Sequence, residues 1–354
     1  MRLSNNHYKM RFNSSIVTVL LAALLLCGIS TAHAQKSDVK DKGRGEGMGR
    51  GQGIGNGQGE SAAQGGEATV ETTANVNVSL TTGSGRISVS GWDRKEVRAQ
   101  AQDSDTKVQL RRTGGTDAAN PAVSLEILAL NKSEDGEPDE DSCNADTDVI
   151  VNVPRGATVY LKTENGDIGV DGVAVIHIET ADGRIEARRI SKTIDVASVS
   201  GNISLEDSSG RARLNSINGM IEVTDLRPLD SSDFLKIKTV SGDALLNGIS
   251  PARVEATTIS GELRLIGPLT RGGIYDFTTT AGDVDILLPP NSSFQLNAKI
   301  SESGEIITEF PLKYKGTTSP ISLLQAGRLQ GTYGAGEAQI NVVSFNGTLR
   351  LRKQ

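Results

Sequence analysis

From Ala68 onward, apolar and polar residues alternate along the chain with a period of two. Val70, Thr72, Ala74, Val76 and Val78 share one face, and Ile87 with Val89 repeats the pattern. Gly91-Trp92-Asp93 then reads as a turn before Val97, Ala99 and Ala101 resume the alternation. Val123 to Leu130 is a further strand-like run. It precedes an acidic insertion over 131–148, with eight carboxylates between Glu134 and Asp148. Val149 to Val153 leads into Pro154-Arg155-Gly156. Such alternation predicts half-buried β-strands. Leu323 to Arg328 is the one segment that reads as a short helical turn.

The second half of the chain repeats a unit, Thr/Ser-x-x-Gly-x-apolar. Its glycines are Gly166, Gly183, Gly201, Gly219, Gly242, Gly261, Gly282, Gly304 and Gly347. Thr163-Glu-Asn-Gly166-Asp-Ile and Thr258-Ile-Ser-Gly261-Glu-Leu show the form, and Thr82-Gly-Ser-Gly85-Arg-Ile is an outlying early copy. From Gly166 to Gly304 the spacings are 17, 18, 18, 23, 19, 21 and 22 residues. In this reading the hydroxyl bonds nearby backbone groups, the glycine permits positive φ in a tight turn, and the following apolar residue restarts the inward face. One unit cannot bury its own apolar face, whereas stacked copies share a continuous core. The expected fold is all-β: a β-solenoid of 17–23-residue coils over residues 68–354. Nine coils at about 4.8 Å each would give a rod roughly 40 Å long. The alternative is a β-sandwich, whose turns recur every 8–12 residues or so.

Several passages resemble the adhesin-labelled toast-rack family of stacked β-repeat domains (DUF4097-like). Gly85-Arg-Ile-Ser-Val-Ser-Gly-Trp-Asp-Arg-Lys-Glu-Val97 is similar to its opening strand pair and Gly-Trp-Asp turn. Val151-Asn-Val-Pro-Arg-Gly156 followed by Leu161-Lys-Thr-Glu-Asn-Gly-Asp-Ile168 resembles its lead-in to the repeats. Asp283-Val-Asp-Ile-Leu-Leu-Pro-Pro290 and Gly334-Ala-Gly-Glu-Ala-Gln-Ile340 through Leu351 resemble its closing coils. The resemblance covers roughly residues 70–354 in order. It implies a right-handed, single-stranded β-helix-like fold outside the cytoplasm, and carries no catalytic residues over.

The N-terminus changes the picture from fold to compartment. Arg2, Lys9 and Arg11 precede a mostly apolar run from Ile16 to Ile29, and Ala32-His33-Ala34 offers small residues at the −3 and −1 positions. Residues 1–34 therefore read as a signal peptide cleaved between Ala34 and Gln35. The apolar run is shorter than the roughly 20 residues a membrane span requires. A lipoprotein signal at Cys27 is disfavoured by Leu26, which stands where a small residue is expected. Cleavage would shift the formal charge from −6 to −9 and leave Cys143 as the one cysteine, so no internal disulfide is expected. Residues 35–67 read as a disordered linker, with glycine at every second position from Gly43 to Gly59. Such a tether would span about 30 Å. The acidic balance argues against nucleic acid.

Candidate chemistry is sparse. His177 in Val175-Ile-His-Ile178 is out of phase with its apolar neighbours and should face solvent. Cys143 lies among carboxylates, which blunt a thiolate. One histidine and one cysteine do not make a zinc site. Asp167, Asp243 and Asp283 each follow a turn glycine, and with Glu262 and Glu305 they could form an acidic row that binds Ca²⁺ or acts on a glycan. Arg184, Asn202 and Met220 interrupt that row, so a solubilising charged turn is the favoured reading. Asp139, Glu140, Asp141 and Asp146 in the acidic insertion are the better Ca²⁺ candidates, though irregularly spaced. Trp92 reads as part of a cap over the first coil, and Tyr160, Tyr275, Tyr314 and Tyr333 are scattered.

These residues point to a non-enzymatic exported β-repeat protein, an adhesin or an envelope-binding scaffold, with no cofactor. It would be periplasmic, surface-bound or secreted, without a transmembrane anchor after cleavage. Its partner would be a glycan, an envelope component or a protein. The alternatives are a glycan-active β-helix enzyme using the acidic row and an envelope-stress signalling accessory.

Overall fold

A computed structural model of the chain describes residues 66–113, 120–131, 146–301, 304–314 and 327–354. All of them lie in one compact unit, Asn56–Gln354. In chain order the strands open with β1 Glu67–Ser84, β2 Ile87–Trp92, β3 Glu96–Ala101, β4 Thr106–Arg112, β5 Ala122–Asn131 and β6 Val149–Pro154. Pairs follow: β7 Thr158–Asn165 with β8 Ile168–Asp171, β9 Val175–Asp182 with β10 Ile185–Arg188, and β11 Thr193–Ser198 with β12 Ile203–Glu206. Next come β13 Arg211–Ser216 with β14 Ile221–Thr224, β15 Phe234–Lys238 with β16 Ala244–Asn247, and β17 Arg253–Thr257 with β18 Leu263–Ile266. The chain continues through β19 Ile274–Thr279, β20 Val284–Leu288, β21 Phe294–Ile300 and β22 Glu305–Thr308. It closes with β23 Lys313–Tyr314, β24 Arg328–Tyr333, β25 Ala338–Ser344 and β26 Thr348–Lys353. No helix occurs among the described residues. Arg328, expected in a helical turn, begins a strand, and residues 323–326 lie outside the described residues.

Each coil contributes one strand to either of two facing parallel sheets. β7, β9, β11, β13, β15, β17 and β19 pair successively in a long-strand sheet. β8, β10, β12, β14, β16, β18 and β20 do the same in a short-strand sheet. This is the expected β-solenoid. The consecutive parallel pairing is not that of an antiparallel sandwich.

At both ends the stacking order departs from chain order. β1 and β2 insert between β5/β6 and β7/β8. At the far end β25 and β26 insert between β19/β20 and β21/β22. Among the described residues the stack therefore holds eleven coils rather than the nine expected in simple succession. The copy at Gly85, an outlier along the chain, sits in line with the others. Antiparallel strands flank the ends: β3 on β6 and on the first half of β1, β4 on β5, β24 on β21, and β23 on β24.

The core lies between the sheets as straight columns. On the short-strand side, Ile87, Ile168, Ile185, Ile203 and Ile221 are in register and each at most 1% exposed. On the long-strand side, Leu80, Leu161, Ile178, Val196, Leu214 and Ile237 form another such column. Each buried aliphatic side chain contributes about 1.5–3 kcal/mol. The repetition lets a chain with only 3% aromatic residues build a large core.

Two further columns define the turn between the sheets. A buried Thr or Ser stands three residues before most turn glycines. Its hydroxyl accepts the glycine N–H in Ser198–Gly201, Thr239–Gly242, Thr258–Gly261 and Thr279–Gly282, at 2.8–3.0 Å. The glycines stack in the order Gly85, Gly166, Gly183, Gly201, Gly219, Gly242, Gly261, Gly282, Gly347, Gly304. From Gly166 on, a Cβ on any of them would come within 3.0 Å of the preceding glycine's carbonyl oxygen. Close approach, not positive φ, is what demands glycine here: in this column only Gly85 and Gly183 have positive φ. The left-handed residues instead occupy the opposite corner, after each short strand: Gly172, Arg189, Asp207, Asp225, Gly248 and Gly267.

Candidate functional site

The residue after each turn glycine lies on the edge where the acidic row was expected. Along the stack that column alternates strictly. Asp148, Asp167, Asn202, Asp243 and Asp283 occupy every second coil, and Arg86, Arg184, Met220, Glu262 and Thr348 the coils between. Each Asp or Asn uses its Oδ1 to accept the backbone N–H of the equivalent residue one coil on. The distances run from 2.7 to 2.9 Å: Arg86 N–H to Asp148, Arg184 to Asp167, Met220 to Asn202, Glu262 to Asp243 and Thr348 to Asp283. Asn202, expected to interrupt the row, is one of its regular members. Arg184 and Met220 are the amide donors.

At Asp167 and Asp283 the second carboxylate oxygen meets a cation. Arg86 lies 3.2 Å from Asp167 and Arg350 2.7 Å from Asp283, while Glu262 pairs with Arg264 at 2.7 Å. The Arg184 amide, with Arg86 in support, holds the Asp167 carboxyl below its ordinary value. The Thr348 amide, with Arg350, does the same for Asp283. Both carboxyls are tuned to stay ionised, whereas a proton donor to a glycosidic oxygen needs a raised pKa. Glu305 is exposed at the start of β22, beyond the last of these bonds. At the opposite end the edge forms a shallow groove lined by Gly85, Arg86, Asp148, Asp167, Asp182 and Gly183. Asp182 there accepts the N–H of Gly183 at 2.8 Å.

Among the described residues, no group of three or more His, Cys, Asp or Glu side chains is placed to hold a metal ion. Asp139, Glu140, Asp141 and Cys143 lie outside the described residues, as do Ala34 and Gln35 at the expected cleavage site. Asp146 is described, and accepts a 2.8 Å hydrogen bond from the Ser84 hydroxyl.

The outer face of the long-strand sheet carries a second, mixed row. His177 faces outward, as its phase predicts, and stacks on Tyr160 of the adjacent strand with ring centroids 4.7 Å apart and 7° between planes. Asp195 and Arg213 follow at 3.3 Å, then Lys236 and Glu255 at 2.6 Å. Asp276 accepts from Asn341 at 2.7 Å, and Asn341 from Asn297 at 3.0 Å. On the short-strand side, Asp285 is 1% exposed and meets Arg352 at 3.1 Å and Arg264 at 3.4 Å.

Trp92 does not cap the stack, because its coil lies second from the end. It is partly exposed, donates its indole N–H to the Glu96 carbonyl at 2.9 Å and carries Arg94 over its ring, so it pins the β2–β3 turn. The end is covered by β3 and β4 instead. Tyr275 and Tyr333 serve the fold: Tyr275 is buried with its hydroxyl accepting the Thr270 N–H, and Tyr333 packs with Phe294 and Phe310. Sequence reasoning treated Tyr160 as scattered with these; only the cross-strand register brings it against His177.

No curated protein matches the chain. A crystal structure described as that of a "putative cell adhesion protein" from Clostridium sporogenes is similar at 12% identity. The alignment covers 82% of this chain and 100% of that one, with a TM-score of 0.25, which does not by itself establish a shared fold. No helix among the described residues is long and apolar enough to cross a membrane. The family model described as Toastrack DUF4097 matches residues 140–352, well over half of the sequence and nearly all of the stacked repeat. The chain belongs to the Toastrack DUF4097 family.

Proposed function

We propose that this protein is a non-enzymatic binding and scaffold module, exported through a cleaved signal peptide, that presents its two sheet faces to a component of the cell envelope. The observation that carries this reading is the use of the acidic row. The aspartates that would have to converge on a substrate, Asp148, Asp167, Asp243 and Asp283, are each engaged with a backbone amide of the next coil, and Glu262 between the last two is paired with Arg264. Their chemistry is that of a rigid edge. Rigid faces with fixed side-chain spacing suit recognition, because little conformational freedom is lost on binding. The signal-like N-terminus supports a place outside the cytoplasm.

Two measurements test the reading. Purified protein beginning at Gln35 should co-sediment saturably with isolated cell envelopes and release no reducing ends from a panel of polysaccharides. Product release that disappears in Asp243→Asn or Asp283→Asn would make the protein an enzyme. Failure to sediment with envelopes would remove the envelope partner. Amino-terminal sequencing of the exported protein should begin at Gln35.

A further inference from the structure

On the outer face of the long-strand sheet, Arg111, Glu126, Ser79, Tyr160 and His177 lie side by side on five neighbouring strands. Four of these side chains are large and Ser79 is small. The small residue leaves a notch with Ser79 as its floor. One wall is Tyr160, 45% exposed, and the other is Glu126, clamped by Arg111 at 2.5 Å. His177 covers one face of the Tyr160 ring, so the other face is turned toward the notch. Two strand spacings separate the walls, about 9–10 Å between backbones.

We propose that this notch binds a pyranose ring of a glycan chain, a reading that rests on the binding role above and names its partner class. A sugar ring stacked on Tyr160 would sit about 4 Å from it, the ordinary carbon–carbon contact. The electron-rich ring face attracts the slightly positive C–H groups of the sugar. That leaves about 5–6 Å to the opposite wall, which a ring hydroxyl and its hydrogen bond can fill. Glu126 there accepts from sugar hydroxyls, and the Arg111 guanidinium donates to sugar oxygens. The Ser79 hydroxyl, which donates to the Leu125 carbonyl at 3.5 Å, can accept. Two positions along β1 and β7, Asn77 and Thr158 border the notch on one side and Thr81 and Lys162 on the other; on β5 the corresponding neighbours are Ser124 and the half-buried Leu128. The Glu126 carboxylate, already paired with Arg111, and the net negative charge disfavour a nucleotide, whose phosphate is anionic, as the stacked ligand.

Affinity electrophoresis through gels containing laminarin, xylan, galactomannan or dextran tests the proposal on protein beginning at Gln35. At least one polysaccharide should retard the wild-type protein. Tyr160→Ala, which removes the stacking wall, and Ser79→Phe, which fills the notch, should each weaken retardation at least tenfold. Glu255→Ala, on the same row four strands beyond His177, should stay within twofold of wild type. All three positions are on the outer face, and unchanged melting temperatures show that each variant folds. Retardation by none of the four gels, or retained in both notch variants, overturns the proposal. So does Tyr160-dependent binding of a proline decapeptide without polysaccharide binding. If envelope co-sedimentation survives in Tyr160→Ala, the notch fails while the general binding role stands. Release of reducing ends overturns the non-enzymatic role whatever the notch variants do.

Discussion

The carbonyl oxygen of Gly242 fills the space that a Cβ on Gly261 would need. The same relation repeats up the column, so each turn is a seat for the next. The obstructing atom is backbone and cannot rotate away. Gly261→Ala should therefore cost about 3 kcal/mol or more, in the range of severe overpacking. Gly169 offers the contrast: it lies within β8, has ordinary φ, and no atom stands within 4 Å of an added Cβ. Gly169→Ala should stabilise by about 0.4–1 kcal/mol through the unfolded chain. Urea titration of both variants measures the difference, and equal effects would refute the stacking account.

The buried hydroxyls divide into two kinds. Thr258 accepts the Gly261 N–H at 3.0 Å, while Thr82, 1% exposed, has no hydrogen-bond partner for its Oγ1. Thr258→Val leaves a buried N–H unsatisfied and should cost about 1–3 kcal/mol. Thr258→Ser should cost less than Thr258→Val, because it keeps the acceptor. Thr82→Val removes an unpaired polar atom without a change of shape, and should be neutral or stabilising. Chemical denaturation of the three variants decides whether the hydroxyl column acts as a set of individual caps.

Much of this architecture was legible in local signals. Period-two alternation located the strands because burial between two sheets acts on every second residue. The Thr/Ser-x-x-Gly-x-apolar unit located the coils because each position has one fixed environment. The reason for the glycine was not legible: whether Gly261 needs positive φ or empty space depends on a neighbour 19 residues away. The alternation of Asp167, Arg184, Asn202 and Met220 looked like interruption, since the bond from one coil to the next appears only once the coils are stacked. The ends were illegible for the same reason. Nothing around Gly347 says that its coil lies before that of Gly304, because pairing partners are chosen by open edges elsewhere. The notch at Ser79 needs the register of β1, β5 and β7 together.

Asp167 and Asp283 both have carboxyls held below their ordinary value of 3.8, chiefly by the backbone amides of Arg184 and Thr348. A group whose folded-state pKa is depressed contributes stability that is present above its unfolded value. That stability is lost as pH falls through the lowered folded value. Stability should thus be level with respect to these two groups near neutrality and decline below about pH 4. The double variant Asp167→Asn/Asp283→Asn keeps the acceptor oxygens without the titration, and should show a shallower decline. Thermal unfolding from pH 7 to pH 2 checks this, and identical slopes would discount the two carboxylates.

β26 lies between β20 and β22 and pairs with both. Removing Thr348–Gln354 should therefore open a gap inside the short-strand sheet instead of fraying its edge. Amide exchange should rise along β20 and β22 together, with β14 and β16 unaffected. Hydrogen-exchange mass spectrometry of the shortened chain reads this directly. Loss of protection confined to β25 would contradict the interleaved order.

Synthesis delivers a polypeptide from its amino end, and most stacked repeats can be added in that order, one course upon the last. Here the final course belongs beneath the one made before it. Once β20 is laid down, β21 has only the antiparallel β24 beside it and β22 has no parallel partner until β25 and β26 arrive. The opening strands likewise wait for β5 and β6 on one side and β7 and β8 on the other. A partly made chain therefore has a first end and a middle that can consolidate and one unfinished end. The strand that slots between β20 and β22, Thr348–Lys353, decides when this end of the stack can close.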